Sequence, residues 1–247
     1  MSRAMPPDPP AARAGPAPAP LNPADGTLEA LKWLALALMV LDHVNTFLFE
    51  RRLPGAYQAG RLVFPLFAFV LGCNLARPGA FERGLHVRVM ARLALFALLA
   101  TPAHWALVGR WWPANILVTL LAATATVYGL QRRDLAGVGL AGAAFLAGGL
   151  VGDYFVPGVA MCTAAWHCAR RPRAPRLALW VAATASLWIV NFNFWALAAL
   201  PIAWIAARAD LRVPRLRWVF YAFYPLHLTA IWWWRDGPRM LDALWRA

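Results

Sequence analysis

Leu28–Phe49, LEALKWLALALMVLDHVNTFLF, decides how this chain is read. Its 22 residues are enough to cross a bilayer as one helix, and they are apolar except for Glu29, Lys32, Asp42, His43 and a few small polar side chains. Charge buried in a spanning helix is costly, so Lys32 and the Asp42-His43 pair need a reason to be there. Lys32 and His43 lie eleven positions apart, almost three whole helical turns. They therefore share one face, about 16 Å apart along the axis. A lysine near one membrane surface and a histidine deep on the same side can hold the two ends of one extended ligand. Lys32 is also the only lysine beside 23 arginines. The plainer reading is a lysine that snorkels to the interface and a polar pair packed against another helix.

Composition agrees with a polytopic membrane protein: 247 residues, 61% hydrophobic, mean hydropathy +0.52 and 14 tryptophans. A net charge of +13 raises the question of nucleic acid. The arginines sit instead in short loops between apolar runs, where they set topology, and no nucleic-acid partner is expected. Cys73, Cys162 and Cys168 fall within or at the ends of apolar segments, and three cysteines make no disulfide framework. The Cys162 and His167-Cys168 cluster lacks a second ligand pair, so no metal is expected.

Residues 1–26 are rich in proline and alanine, cannot bury a core, and are expected to be a disordered tail. With no apolar run beside a charged start, the tail does not read as a cleaved signal peptide. Residues 27–247 then form a single domain, its first helix capped by Thr27 in TLEA. Further apolar runs occur at about 61–76, 84–108, 115–130, 135–151, 154–169, 176–192, 194–207 and 217–235. The expectation is all-α, with about nine transmembrane helices. Alternate loops carry Arg77, Arg83, Arg88 and Arg92, then Arg132 and Arg133, then Arg170, Arg171, Arg173 and Arg176, then Arg208, Arg212, Arg215 and Arg217. The other loops carry only Arg51, Arg52, Arg61 and Arg110. Fourteen against four puts the first set, and the amino terminus, in the cytoplasm, and the carboxyl terminus outside. There is no internal repeat.

That topology assigns a depth to each polar group. Lys32 lies at the cytoplasmic mouth and His43 in the outer half. Arg61, Asn115, Asp153, the Asn191/Asn193 pair and, nearer mid-membrane, His227 converge on the depth of His43. Each also has a local explanation. Asn115 and the 191/193 asparagines suit caps and turns, Arg61 an interfacial anchor, and His227 helix packing.

The phrases LKWLALALMVLDH, GRLVFPLFAF, NILVTL, GDYFVPG and FYAFYPLHL, in this order across roughly 28–235, resemble the TraX family. Its namesake acetylates the amino terminus of a conjugative pilin. The basic residue, ten-residue gap and histidine also resemble the signature of the wider acyltransferase 3 superfamily. The resemblance implies an acetyl-coenzyme A-dependent acyltransferase of the bacterial inner membrane. It gives His43 the role of catalytic base and Lys32 a role with the acyl donor. The acceptor is an amine or hydroxyl on a protein or glycan at the outer face. In chemical terms a histidine can take the acceptor's proton at neutral pH. Asp42 points about 100° away from His43 on the helix; it joins the catalytic set or pairs with an arginine such as Arg61. Asn115, Tyr224 or a backbone amide would supply oxyanion donors, and Arg61, Asp153 and His227 would line the substrate site. Two other classes stay open: a transporter relaying protons through Asp42, His43 and His227, and a non-catalytic component of a pilus or secretion assembly.

Overall fold

Asp25 opens the first helix, two residues before the threonine expected to cap it. In the computed structural model, which describes residues 21–246 (without the side chains of Arg217 and 239–246), α1 is Asp25–Phe47. Ala24 stands at its cap position and makes no side-chain cap bond. Thr27 is used differently. Its Oγ1 donates to the Ala209 carbonyl at 2.8 Å and accepts from the Leu211 N–H at 3.0 Å, tying α1 to a chain segment 182 residues away. The TLEA cap is thus corrected: the hydroxyl satisfies a distant loop rather than its own helix.

The remaining helices follow the apolar runs. They are α2 Pro54–Gly60, α3 Val63–Ala76, α4 Leu85–Val108, α5 Ile116–Arg132, α6 Leu135–Val151, α7 Phe155–Arg170, α8 Ala174–Ala185, α9 Trp188–Asn191, α10 Ala199–Ala206 and α11 Arg217–Arg246. A 3-10 turn, Trp195–Ala198, leads into α10. Among the described residues there is no strand, only an isolated pairing of Ala114 with Gly152, so the all-α expectation holds. Pro54–Ala76 and Leu85–Val108 are long and apolar enough to cross a membrane. Three shorter apolar helices, Ile116–Arg132, Leu135–Val151 and Trp195–Ala206, fall below that length. The run at 61–76 starts earlier than expected, at Pro54, and turns at Arg61-Leu62. The run at 176–192 breaks at Ser186-Leu187, and the last helix continues past 235 to 246.

Contacts between loops sort the helix ends into two groups. At one end Asp25 pairs with Arg77 after α3 and with Arg215 before α11. Leu21 N–H reaches Ala169 O near the end of α7, and His86 at the start of α4 meets Gln131 at the end of α5. At the other end Arg61 bonds Asn191, Ala114 N–H bonds Val151 O, and Arg235 donates to the carbonyls of Ala106 and Leu107. The helices therefore run back and forth between two faces. Of the expected tail, residues 21–26 are joined to the bundle through Leu21 and Asp25, and 1–20 lie outside the described residues.

Large apolar side chains face outward around the bundle, among them Leu98, Leu135, Leu146, Leu150, Ile189, Phe192 and Trp234. Water-soluble monomers rarely expose so much apolar surface, and a lipid-facing protein does. Inside, small residues let helices approach. A side chain at Gly72 would strike the backbone of α7 at Ala165 and Trp166, so α3 and α7 pack backbone to backbone.

Candidate active site

The helix periodicity that puts Lys32 and His43 on one face of α1 also puts both on one cavity. It encloses about 1340 Å³ and is lined from α1, α3, α4, α5 and α11. That exceeds the usual size of a small-molecule pocket and suits an elongated ligand. Lys32, Arg92, Arg215 and Asn74 line it toward the Thr27 end. Apolar walls follow, with Val70, Val89, Leu93, Leu120 and Tyr221. His43, Arg61, His104, Arg110, Asp153, Tyr154 and Arg235 line it toward the opposite end.

Lys32 Nζ donates to Glu29 Oε1 at 2.6 Å, one turn back on α1, and sits 4.3 Å above the Phe220 ring. Glu29 is 2% exposed and does not line the cavity. Arg215 lies 3.9 Å from the same carboxylate, and Arg92 stacks over Trp218 at 5.0 Å. Three cations thus face the space near one end. Beyond them Asp25, outside the apolar run, takes a hydrogen bond from Arg77, which holds its carboxyl below the usual value.

At the deep end of the cavity, His43 Nδ1 lies 2.7 Å from His227 Nε2, across 184 residues of sequence, and His227, expected to line the substrate site, is bonded to His43 without being part of the lining. His227 Nδ1 lies 2.9 Å from the Phe223 carbonyl one turn earlier on α11. Tyr224 lies edge to face with His227, ring centroids 5.5 Å apart, and lines the same cavity. His43 and His227 were expected at a common depth; the structure brings them into contact.

Asp42 leaves His43 and pairs with Arg61 at 2.8 Å through Oδ2, the arginine alternative raised above. Arg61 also donates to Asn191 Oδ1 at 3.2 Å and to Tyr57 O at 3.3 Å, and stands 4.3 Å from the Tyr57 ring. The glycine at 60 is required here, because a Cβ would collide with the Asp42 carboxylate. Asp42 and Arg61 line the cavity as a mutually neutralised pair. Asn115 is not part of the lining. It caps α5 by accepting Leu117 N–H, and both of its amide hydrogens are engaged, by Ala97 O and Thr101 Oγ1. That removes it as an oxyanion donor. Asn193 serves its turn, accepting from Trp195 N–H. Asp153, in the loop between α6 and α7, lines the cavity without an ion-pair partner within 4 Å among the described residues. Burial raises its carboxyl above the usual range, against the opposing pull of His104, Arg61 and Arg110.

Arg92, Arg215, His104 and Tyr154 were missed as site residues. Arg92 and His104 carried a signal, since both interrupt the apolar run 84–108. Arg215 carried none, because a loop arginine reads as a topology marker.

The profile of a family described as "TraX protein" matches residues 27–235. A protein from Escherichia coli named "Protein TraX" is 34% identical over 161 residues, covering 62% of this chain and 61% of that one. A second "Protein TraX", from Escherichia coli strain K12, is 32% identical over 111 residues, covering 44% of this chain and 42% of its own. The chain thus matches less than two thirds of the length of either relative. No solved structure matches it.

Proposed function

The chain belongs to the TraX family, and on that premise we propose that it is a membrane acyltransferase. It moves an acetyl group from cytoplasmic acetyl-coenzyme A to an amine or hydroxyl at the outer face of the bacterial inner membrane. In this reading about nine helical passes cross the bilayer, with the amino terminus and the Lys32 end of the cavity inside. The observation that carries the reading is one continuous cavity joining Lys32, Arg92 and Arg215 to His43.

The chemistry follows from that layout. The anionic nucleotide end of the donor rests among the three cations, and its flexible arm follows the apolar walls toward the histidine. There the acceptor N–H or O–H gives its proton to His43 as the acceptor attacks the thioester carbonyl. The tetrahedral intermediate collapses, the C–S bond breaks, and the thiolate takes the proton back from His43. Base catalysis of this kind contributes roughly 10²–10⁴-fold in rate. Tyr224 is the side chain left to steady the oxyanion, since Asn115 is engaged elsewhere. Asp153, with His104 and Tyr154, forms the wall an acceptor would meet. The acceptor class implied by the family resemblance is a pilin amino terminus; a surface-glycan hydroxyl fits the same chemistry.

Inverted membrane vesicles test the whole reading. Labelled acetyl-coenzyme A is added outside, with a peptide bearing a free amino terminus and a hexosamine trapped in the lumen. Label is expected on a luminal acceptor in vesicles with the protein and not in those without it. Label appearing on neither acceptor, with donor consumption at background, overturns the acyltransferase. The His43–His227 contact favours one second reading, proton movement through the bundle. Proton flux into proteoliposomes without any acyl donor would favour it.

A further inference from the structure

The His43–His227 contact fixes more than a position. Its nitrogens are 2.7 Å apart and the ring planes only 4° from parallel. Two stacked ring faces cannot approach so closely, so the rings lie edge to edge, joined by a shared hydrogen. The direction of that bond follows from counting protons. A carbonyl oxygen can only accept, so the His227 nitrogen at the Phe223 carbonyl, Nδ1, must carry hydrogen. No carboxylate contacts either ring among the described residues, Asp42 being held by Arg61. Both rings are therefore neutral. A neutral His227 with hydrogen on Nδ1 has a bare Nε2 that can only accept, so His43 must donate from its Nδ1. His43 Nε2 is then the one ring nitrogen of the pair without hydrogen and without a partner among the described residues, and His43 lines the cavity.

We propose that His227 is a positioning residue: it holds His43 in the Nδ1–H tautomer, which leaves Nε2 as the basic atom, with the Phe223 carbonyl as the fixed end of the relay. This rests on the acyltransferase reading for its use and on geometry alone for its existence. When Nε2 takes the acceptor's proton, His43 becomes an imidazolium whose Nδ1–H bond to His227 is charge-assisted and stronger. When the thiolate takes that proton, both rings return to their starting tautomers. No proton is lost from the pair in a turnover. Pre-setting the tautomer matters because an imidazole with hydrogen on Nε2 keeps its basic lone pair on Nδ1, which faces His227 and not the acceptor.

The test is ¹⁵N NMR of histidine-labelled full-length protein in nanodiscs, with signals assigned through His43→Ala and His227→Ala. There are five histidines in the chain, few enough to resolve. In wild type, His43 should show a protonated Nδ1 and an unprotonated, pyridine-type Nε2. His227→Phe keeps an aromatic ring but removes the acceptor; His43 should become a tautomer mixture, and acyl transfer should fall about a hundredfold, the lower edge of the range for losing a general base. His227→Gln supplies an acceptor oxygen toward His43 and an N–H toward Phe223, and should restore both the single tautomer and most of the rate. Hydrogen on Nε2 of His43 in wild type overturns the proposal. So does a His43 signal unchanged in His227→Phe. If the tautomers are as expected but wild type moves no acetyl group, the relay stands and the acyltransferase reading falls.

Discussion

The two ends of the cavity handle charge in opposite ways. Near Lys32, the cations Lys32, Arg77, Arg92 and Arg215 outnumber the carboxylates Asp25 and Glu29, so the mouth keeps a positive field. Near His43, Asp42 and Arg61 cancel at 2.8 Å, Arg235 is paired with Asp236 at 2.7 Å, Arg110 shares the lining with Asp153, and the two imidazoles share neutral hydrogen bonds. A positive field attracts an anionic ligand without regard to its reactive group, and a neutral imidazole moves a proton without attracting an anion. Recognition and chemistry are thus separated along one cavity, and substitutions at the two ends should fail in different ways.

Removing the base makes the deepest cut. His43→Ala is expected to lower the rate of acetyl transfer roughly 10²–10⁴-fold, while coenzyme A binds as in wild type. Initial rates with labelled donor, alongside calorimetry with coenzyme A, measure both quantities. A parallel loss of donor affinity would erase the separation. Next comes the strut behind the base. Asp42→Ala leaves the Arg61 guanidinium largely buried without its partner, a loss of about 3 kcal/mol in stability. Thermal unfolding in detergent should show the drop, and adding Arg61→Met should recover part of it. An Asp42→Ala protein that melts like wild type would mean that the pair does not hold α1 against the turn before α3.

At the charged end the effects are smaller and of another kind. Arg92→Ala and Arg215→Ala should each raise KM for acetyl-coenzyme A about tenfold and leave kcat nearly unchanged, as loss of a charge-assisted contact predicts. Lys32→Ala should do less, because Glu29 already engages the ammonium at 2.6 Å. Lys32→Arg should fall between Ala and wild type. Donor titrations at low and high salt check the assignment, since the contribution of exposed cations should shrink as salt screens them. Three variants with wild-type affinity would move the donor away from this end.

The smallest effect lies outside the cavity. The hydrogen bond and charge of Arg77 hold the Asp25 carboxyl below its usual value. Its contribution to stability is therefore present above the unfolded-state pKa and fades as pH falls through the folded-state one. The group is half exposed, so Asp25→Asn should cost under about 1 kcal/mol at neutral pH. Melting temperatures across the acid range should show the mutant losing that increment of pH dependence and little else.

The order of the helices, their approximate limits, and the shared face of Lys32 and His43 were legible in the sequence. Each depends on periodicity or composition within one segment, and the geometry of a helix converts spacing directly into direction. Several local features were legible for the same reason, including the Asn115 cap and the Asn193 turn. What the sequence could not determine is which polar groups meet. Thr27 reads as a cap by its neighbours, but its hydroxyl bonds a loop 182 residues away. Arg215 reads as a topology charge and Arg92 as an interruption of an apolar run, and only packing brings them to one mouth. His43 and His227 share a depth in the sequence reading, but contact depends on the rotation of α1 and α11 about their own axes. That rotation is set by packing of side chains from many segments, which no local pattern encodes. The proton positions follow in turn from the contact, because a histidine's tautomer is decided by the partner of its other nitrogen. The sequence by itself therefore determined the helices and the residue types able to do the chemistry. Tertiary structure alone decided which nitrogen is left free to do it.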